Sequence, residues 1–410
     1  MSEATQSAPG PLAGVRVLDL TSVVLGPLAT QILGDYGADI IKVENLDGDL
    51  ARDAGVGLHP GMSSIFLTIN RNKRSIAVDL KSAQGKDVLR RLVTGADVLV
   101  HNMRVAAIEK LGFGYDAVAE LNPNIVYCAA IGFGQDGPDR DKPAFDDIIQ
   151  AACGLVGLNS VGREQPDYAP TLAADKTTGL AVVNAVLAAL FARERSGRGQ
   201  YVEVPMLETM VAFMLAEHLG GLCFEPALGK AGYTRLVAAG RRPAPTKDGY
   251  IGILPYTGAQ WSAFFNAAGR ADLAQKYGGA DRQARNADIA ILYEELARAT
   301  RERTTAEWVA ICAERDIPAT PIYAIDDLPS HPHLQAVGMF ARAEHPSEGK
   351  IRYLRPPTKF AATPATVRSH APLLGQHTRE ILCEAGYDAG EIAALEAQRV
   401  VSQSGGASAP

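Results

Sequence analysis

Asp175 and Lys176 stand immediately before a strongly apolar run, TTGLAVVNAVLAALF over 177–191. An aspartate at that place supports two kinds of chemistry. As a helix cap, its carboxylate accepts backbone N–H bonds. As a nucleophile, it is kept ionised by the helix N-terminus and attacks an acyl carbonyl. Spacing alone leaves both open. A second set is cationic: Lys42, Arg71, Lys73, Arg74, Lys81, Arg104, Lys110 and Lys142, several at or after expected strand ends. Singly they read as solvated surface; together they suit phosphate groups. A third feature, Gly132-Phe-Gly134-Gln-Asp-Gly137, fits GxGxxG after a strand. Pro138 and the polar residues after it open no helix, so the usual seat for a pyrophosphate is missing. The segment reads as a strand-end glycine loop, a place where α/β sheets bind ligands. The eight histidines show no HExxH or similar ligand pattern, the five cysteines no CxxC, and no GxSxG occurs. Metal, disulfide and serine-nucleophile chemistry are therefore not expected.

The elements that must position these residues follow from periodicity. Branched runs at 15–20, 39–44, 75–80, 97–101, 124–132 and 200–205 read as strands. Between them lie helical patterns at 28–36, 82–93 (opened by a Ser82 cap), 105–111 and 176–194. Such alternation predicts βαβ units and a largely parallel sheet. The 177–191 run is apolar nearly all round, which predicts a buried helix. After Phe224 the chain turns basic and rich in Gly and Pro, then becomes helical again. A smaller domain is expected over 226–330, and 401–410 as a flexible tail.

Composition narrows the classes. With 410 residues, 47% hydrophobic and 21% charged, the chain has ample material for a core. Its 40 glycines and 6% aromatics suit an α/β enzyme with many tight turns. A formal net charge of −6 gives no support to nucleic acid or an anionic membrane as partner. No uninterrupted apolar stretch reaches membrane-spanning length, and the first residues lack a secretory pattern. A cytoplasmic protein is expected.

Read in order, the segments PLAGVRVLDLTSVVLGPLATQILGDYGADIIKVE (11–44), NRNKRSIAVDLKSAQGKDVLRRLVTGADVLVHN (70–102), LGFGYDAVAELNPNIVYCAAIGFGQDGP (111–138), ADKTTGLAVVNAVLAAL (174–190) and SGRGQYVEVPMLE (196–208) resemble a class III CoA-transferase. The resemblance spans Leu12 to about Val400. It implies a discontinuous Rossmann-like large domain (11–225 plus 331–400) with an inserted small α+β domain (226–330), two chains forming an interlocked-ring homodimer. It implies transfer of coenzyme A from an acyl-CoA to a carboxylic acid, without metal or redox cofactor. The family's catalytic aspartate falls on Asp175, which would pass through a mixed anhydride and an aspartyl-CoA thioester. Its CoA contacts fall on Val23, Val78, Lys81, Asn102, Met103, Ala107, Lys110 and Lys142.

Departures from the family pattern shape the expected substrate. Formyl-CoA transferases have Gln where this chain has Val24, Arg at Asn45 and Asn-Phe at Asn102-Met103, which points away from the formyl/oxalyl pair. The related α-methylacyl-CoA racemases carry a GHD histidine, and this chain reads Phe145-Asp146-Asp147 there. A racemase needs an acid/base on each face of the α-carbon, so transferase is preferred. The alternatives are a racemase or other CoA isomerase, a nucleotide-dependent oxidoreductase on the glycine loop, or a silent acyl-CoA-binding homologue. The basic stretch Arg235–Arg242 would suit a dicarboxylate.

Overall fold

A computed structural model describes residues 9–238 and 240–403. The branched runs become strands: β1 Arg16–Leu20, β2 Asp39–Glu44, β3 Lys73–Val78, β4 Val98–His101, β5 Val126–Ile131 and β6 Gln200–Pro205. They pair in the order β3-β2-β1-β4-β5-β6, every neighbour parallel. Leu18 of β1, fully buried, stands between Ile41 and Leu99. A sheet covered on both faces explains why these strands are runs of Val, Ile and Leu rather than alternating. The strand order is that of a doubly wound nucleotide-binding sheet, whose connections diverge at β1 and β4 and leave a crevice at their carboxyl ends.

Val401–Ser402 adds an antiparallel strand beside β3, and Val401 is buried. Val401 and Ser402, expected within the tail, are therefore strand, and residues 404–410 of that expected tail lie outside the described residues.

The helix after β1 covers Leu25–Asp35, three residues ahead of its expected start. Gly26 and Pro27 fall in its first turn, where backbone N–H groups have no helical partner, so proline removes nothing. Ser82 caps Ala83–Thr94 by accepting from Gly85 N at 3.0 Å. The long helix is Ala173–Ser196, and its N-cap is Leu172, which makes no side-chain cap bond. Asp175 lies inside the first turn rather than ahead of it. Gly197, at φ 69°, closes the other end, with its N–H on Arg193 O at 2.8 Å. By length and composition this helix could cross a membrane, but half of its most apolar window is buried within the protein. Burial is not complete, contrary to expectation: Leu180 and Phe191 are 54% and 61% exposed.

The chain divides into two compact units. Gly157–Pro166 and Met214–Leu334 form the second, and the rest of the described chain the first. The second unit has a small antiparallel sheet, β7 Ala244–Pro245, β8 Tyr250–Ile253 and β9 Ala319–Pro321. Its core is aromatic: Trp261 stacks on Phe265 with centroids 5.6 Å apart, and Trp308 donates to Thr300 O at 2.8 Å. Thr257–Gln260 and Thr304–Glu307 capping boxes start two of its helices. The first unit also carries a hairpin, β10 Phe340–His345 and β11 Gly349–Leu354.

Candidate active site

The turn after β1 is fixed by buried charges. Lys73 Nζ reaches Asp19 Oδ2 at 2.8 Å, and Asp19 Oδ1 accepts the Thr21 N–H at 3.0 Å. Lys42 Nζ donates to Thr21 O at 2.9 Å and to Asp49 Oδ2 at 2.8 Å. Asp49 Oδ1 in turn accepts the Val23 N–H at 2.9 Å. On the β4 side, the Asn102 side-chain amide pairs with both backbone groups of Ser22, at 3.0 and 2.8 Å. This frame holds Val23 at φ 70°. Such a conformation costs a β-branched residue about 1–3 kcal/mol and persists only where its surroundings enforce it.

Lys42 and Lys73 are thus not phosphate ligands, as the cationic set suggested. They are wholly buried in ion pairs and position the loop. Arg71 is likewise held by Asp35 at 2.6 Å, and Arg74 by Asp39 at 2.7 Å and Glu384 at 2.7 Å. Burial alone would raise the Asp19 carboxyl, but Lys73 and Lys42 pull it far below the usual range. Burial brings Lys73 down to about 8.

A cavity of about 260 Å³ opens at the carboxyl ends of β1, β4 and β5. Val23, Asn102, Met103, Lys142 and Asp175 all line it, joined by Arg104 and Arg140. The other expected CoA contacts do not meet there. Val78 is fully buried within the sheet, and Lys81, Ala107 and Lys110 are exposed outside the lining. Phe145 and Leu50 also line the cavity although they are 65% and 72% exposed. The sequence marks neither as a ligand contact, because an isolated apolar residue carries no chemical signal.

The glycine loop is spoken for. Gly134 N–H donates to Glu208 Oε1 and Gln135 N–H to Glu203 Oε1, both at 2.9 Å. A loop whose N–H groups already hold carboxylates is not a phosphate cradle, which removes the dinucleotide reading. Gly132 is needed for another reason: a Cβ there would stand 2.3 Å from the Ala144 Cβ.

Asp175 is 8% exposed, and its side chain receives no hydrogen bond from the described residues. Its N–H donates to Asp146 Oδ1 at 2.9 Å. Asp146 is held by Gln150 Nε2 at 2.5 Å, and Gln150 also donates to Thr171 O at 3.0 Å. Burial, with the Asp146 charge beside it, pushes the Asp175 carboxyl up to about 7. The sequence suggested the opposite, a helix N-terminus holding it ionised. Desolvation and a like charge outweigh the half-charge of a helix end. The result is a carboxylate that ionises near neutrality and is poorly solvated when it does, properties suited to a nucleophile. No histidine lines the cavity among the described residues, and no group of three His, Cys, Asp or Glu there could hold a metal.

The sequence pattern of CoA-transferase family III matches residues 12–378. The chain belongs to that family. This CoA-transferase is 32% identical over 395 residues to the succinyl-CoA:glutarate CoA-transferase of Mus musculus, covering 96% of this chain and 91% of that one. It is 31% identical to the succinate–glutarate CoA-transferase of Agrobacterium fabrum, covering 91% and 95%. Among solved structures, Rv3272 of M. tuberculosis in its orthorhombic form aligns with a TM-score of 0.78 at 30% identity, covering 91% of this chain and 99% of that one. A CAIB/BAIF family protein from Brucella suis gives 0.77 at 29%, covering 92% and 100%. The mixed α/β fold with its parallel sheet is the fold of these relatives.

Proposed function

We propose that this CoA-transferase works through Asp175 as a covalent nucleophile. The observation that carries the reading is a buried carboxylate without side-chain partners among the described residues, lining a cavity at the sheet's switch point beside Val23 and Asn102. The Asp175 carboxylate attacks the donor thioester carbonyl; a mixed anhydride forms and CoA leaves as thiolate. The thiolate attacks the aspartyl carbonyl of that anhydride, giving an aspartyl-CoA thioester and releasing the donor acid. The acceptor carboxylate attacks that thioester, again releasing thiolate. The thiolate then takes the acceptor's acyl carbon, and Asp175 is restored. Each step exchanges one acyl bond for another.

Asn102 and Asp49 hold the loop that faces the reacting carbon, and Arg104, Arg140 and Lys142 supply charge for the CoA phosphates or a distal carboxylate. Lys81, Ala107 and Lys110, exposed outside this cavity, extend the proposed CoA contacts, whereas Val78 has no exposed surface to offer a ligand. The dicarboxylate specificities named for the mouse and Agrobacterium relatives favour succinate or glutarate as donor or acceptor acid. The proposal includes a cytoplasmic homodimer of interlocked chains. Exposed Phe145, Ile148, Leu180, Phe191 and Phe213 on the first unit support a partner surface.

The test is transfer from succinyl-CoA to a panel of acids. Wild type should form new acyl-CoA, and Asp175→Ala should lose transfer while still binding succinyl-CoA. Transfer retained by Asp175→Ala, or α-proton exchange without transfer, would overturn the reading.

A further inference from the structure

Within the second unit, three arginines line one small cavity beside Tyr256, with no acid among its described lining residues. Arg235 Cζ lies 4.5 Å from the Tyr256 ring centroid and Arg282 Cζ 5.6 Å from it. Arg285 lines the same small cavity, about 20 Å³, floored by buried Trp261 and Ile289. Among the described residues, all three guanidiniums bond only to neutral groups. Arg235 Nε donates to the Tyr293 hydroxyl at 3.3 Å, Arg282 to the Tyr256 hydroxyl at 2.9 Å, and Arg285 to Ala280 O. A guanidinium offers five N–H donors, so most of this capacity is unused by the protein.

The neighbouring acids are committed elsewhere. Asp281 caps its helix through Ala284 N at 2.7 Å, and Asp288 accepts from Lys276 Nζ at 3.0 Å and the Tyr277 hydroxyl at 2.9 Å. Gly258 packs against Arg285: a Cβ there would stand 3.0 Å from Arg285 Nη1 and 2.6 Å from Gly278 O. Three like charges facing one enclosed space repel one another unless an anion joins them. The cavity admits little more than one water-sized centre, enough for an oxygen of a planar or tetrahedral oxyanion.

We propose that Arg235, Arg282 and Arg285 form a binding site for a small oxyanion group, a carboxylate or a phosphate. The site is built entirely from residues of the second unit, none of which lines the Asp175 cavity. Both tryptophans of the chain, Trp261 and Trp308, are buried in this unit's core, and Trp261 lines the cavity, so intrinsic fluorescence reads it locally.

The full-length protein is titrated with succinate and with inorganic phosphate at fixed ionic strength. Wild type should show a saturable fluorescence change with at least one of them. Succinate alone assigns the site to carboxylates, phosphate alone to phosphates, and both to oxyanions at large. Arg282 is exposed and makes one hydrogen bond, so Arg282→Gln keeps the fold; it should weaken the half-point about tenfold or more. Arg285→Gln should do the same, and Asp175→Ala should leave the titration unchanged. No saturable response in wild type, half-points unchanged from wild type in both arginine variants, or loss of the signal in Asp175→Ala would each overturn the proposal.

Discussion

Replacing Asp175 by Asn should make the protein more stable, and increasingly so as pH rises. The carboxyl ionises near 7 in the folded chain and near its ordinary 3.8 when unfolded. Below both values the two states hold the proton equally, and nothing is lost. Between them the unfolded chain ionises freely while the folded one resists, so stability falls as pH rises, and the loss is complete above about 7. At about 1.36 kcal/mol per pH unit, the full cost approaches about 4 kcal/mol, with about 2 kcal/mol of it already present at pH 5. Asn keeps the shape and carries no charge to desolvate, so Asp175→Asn should recover much of this. The assay is urea unfolding of wild type and variant at matched concentration, at pH 5, 6, 7 and 8.5. The gap should widen by about 2 kcal/mol from pH 5 to pH 7 and then level. A gap that is flat with pH, or a variant less stable than wild type, would refute the argument that burial and Asp146 hold this carboxyl high.

Other outcomes follow from the same structure. Asp19→Asn strips the buried Lys73 of its charged partner and should cost about 3–5 kcal/mol in chemical unfolding. Gly179 lies one turn after Asp175, and a Cβ there would meet Leu25 O at 2.8 Å. Gly179→Ala should therefore lower stability by about 1–3 kcal/mol and reduce kcat, by pushing the Asp175 helix away from the β1 loop. Arg104→Gln and Lys142→Gln should raise KM for acyl-CoA more than they lower kcat, and the effect should shrink at high salt.

Much of this was legible in the sequence, for identifiable reasons. The strands β1 to β6 were visible as branched runs because a sheet covered on both faces needs them, and Ser82 announced its helix as a cap. Asp175 was visible as a charge beside an apolar run, and the family pattern made it the candidate nucleophile. Its proton affinity was not legible. That depends on Asp146, 29 residues away in sequence, and on burial that only the fold supplies. Lys42 and Lys73 misled for the same reason. A lysine beside a strand end looks identical whether it meets a phosphate or an internal aspartate, and here Asp49 and Asp19 decide. The GxGxxG pattern has the composition of a ligand loop, but Glu203 and Glu208 occupy two of its N–H groups.

The most direct measurement is chemical trapping of the acyl-enzyme. Protein incubated with succinyl-CoA is quenched with hydroxylamine, digested, and read by mass spectrometry. The account predicts an aspartyl hydroxamate on the peptide carrying Asp175, dependent on succinyl-CoA and absent from Asp175→Asn. Turnover to a new acyl-CoA with no modification of that peptide, or with the label on another residue, would contradict it.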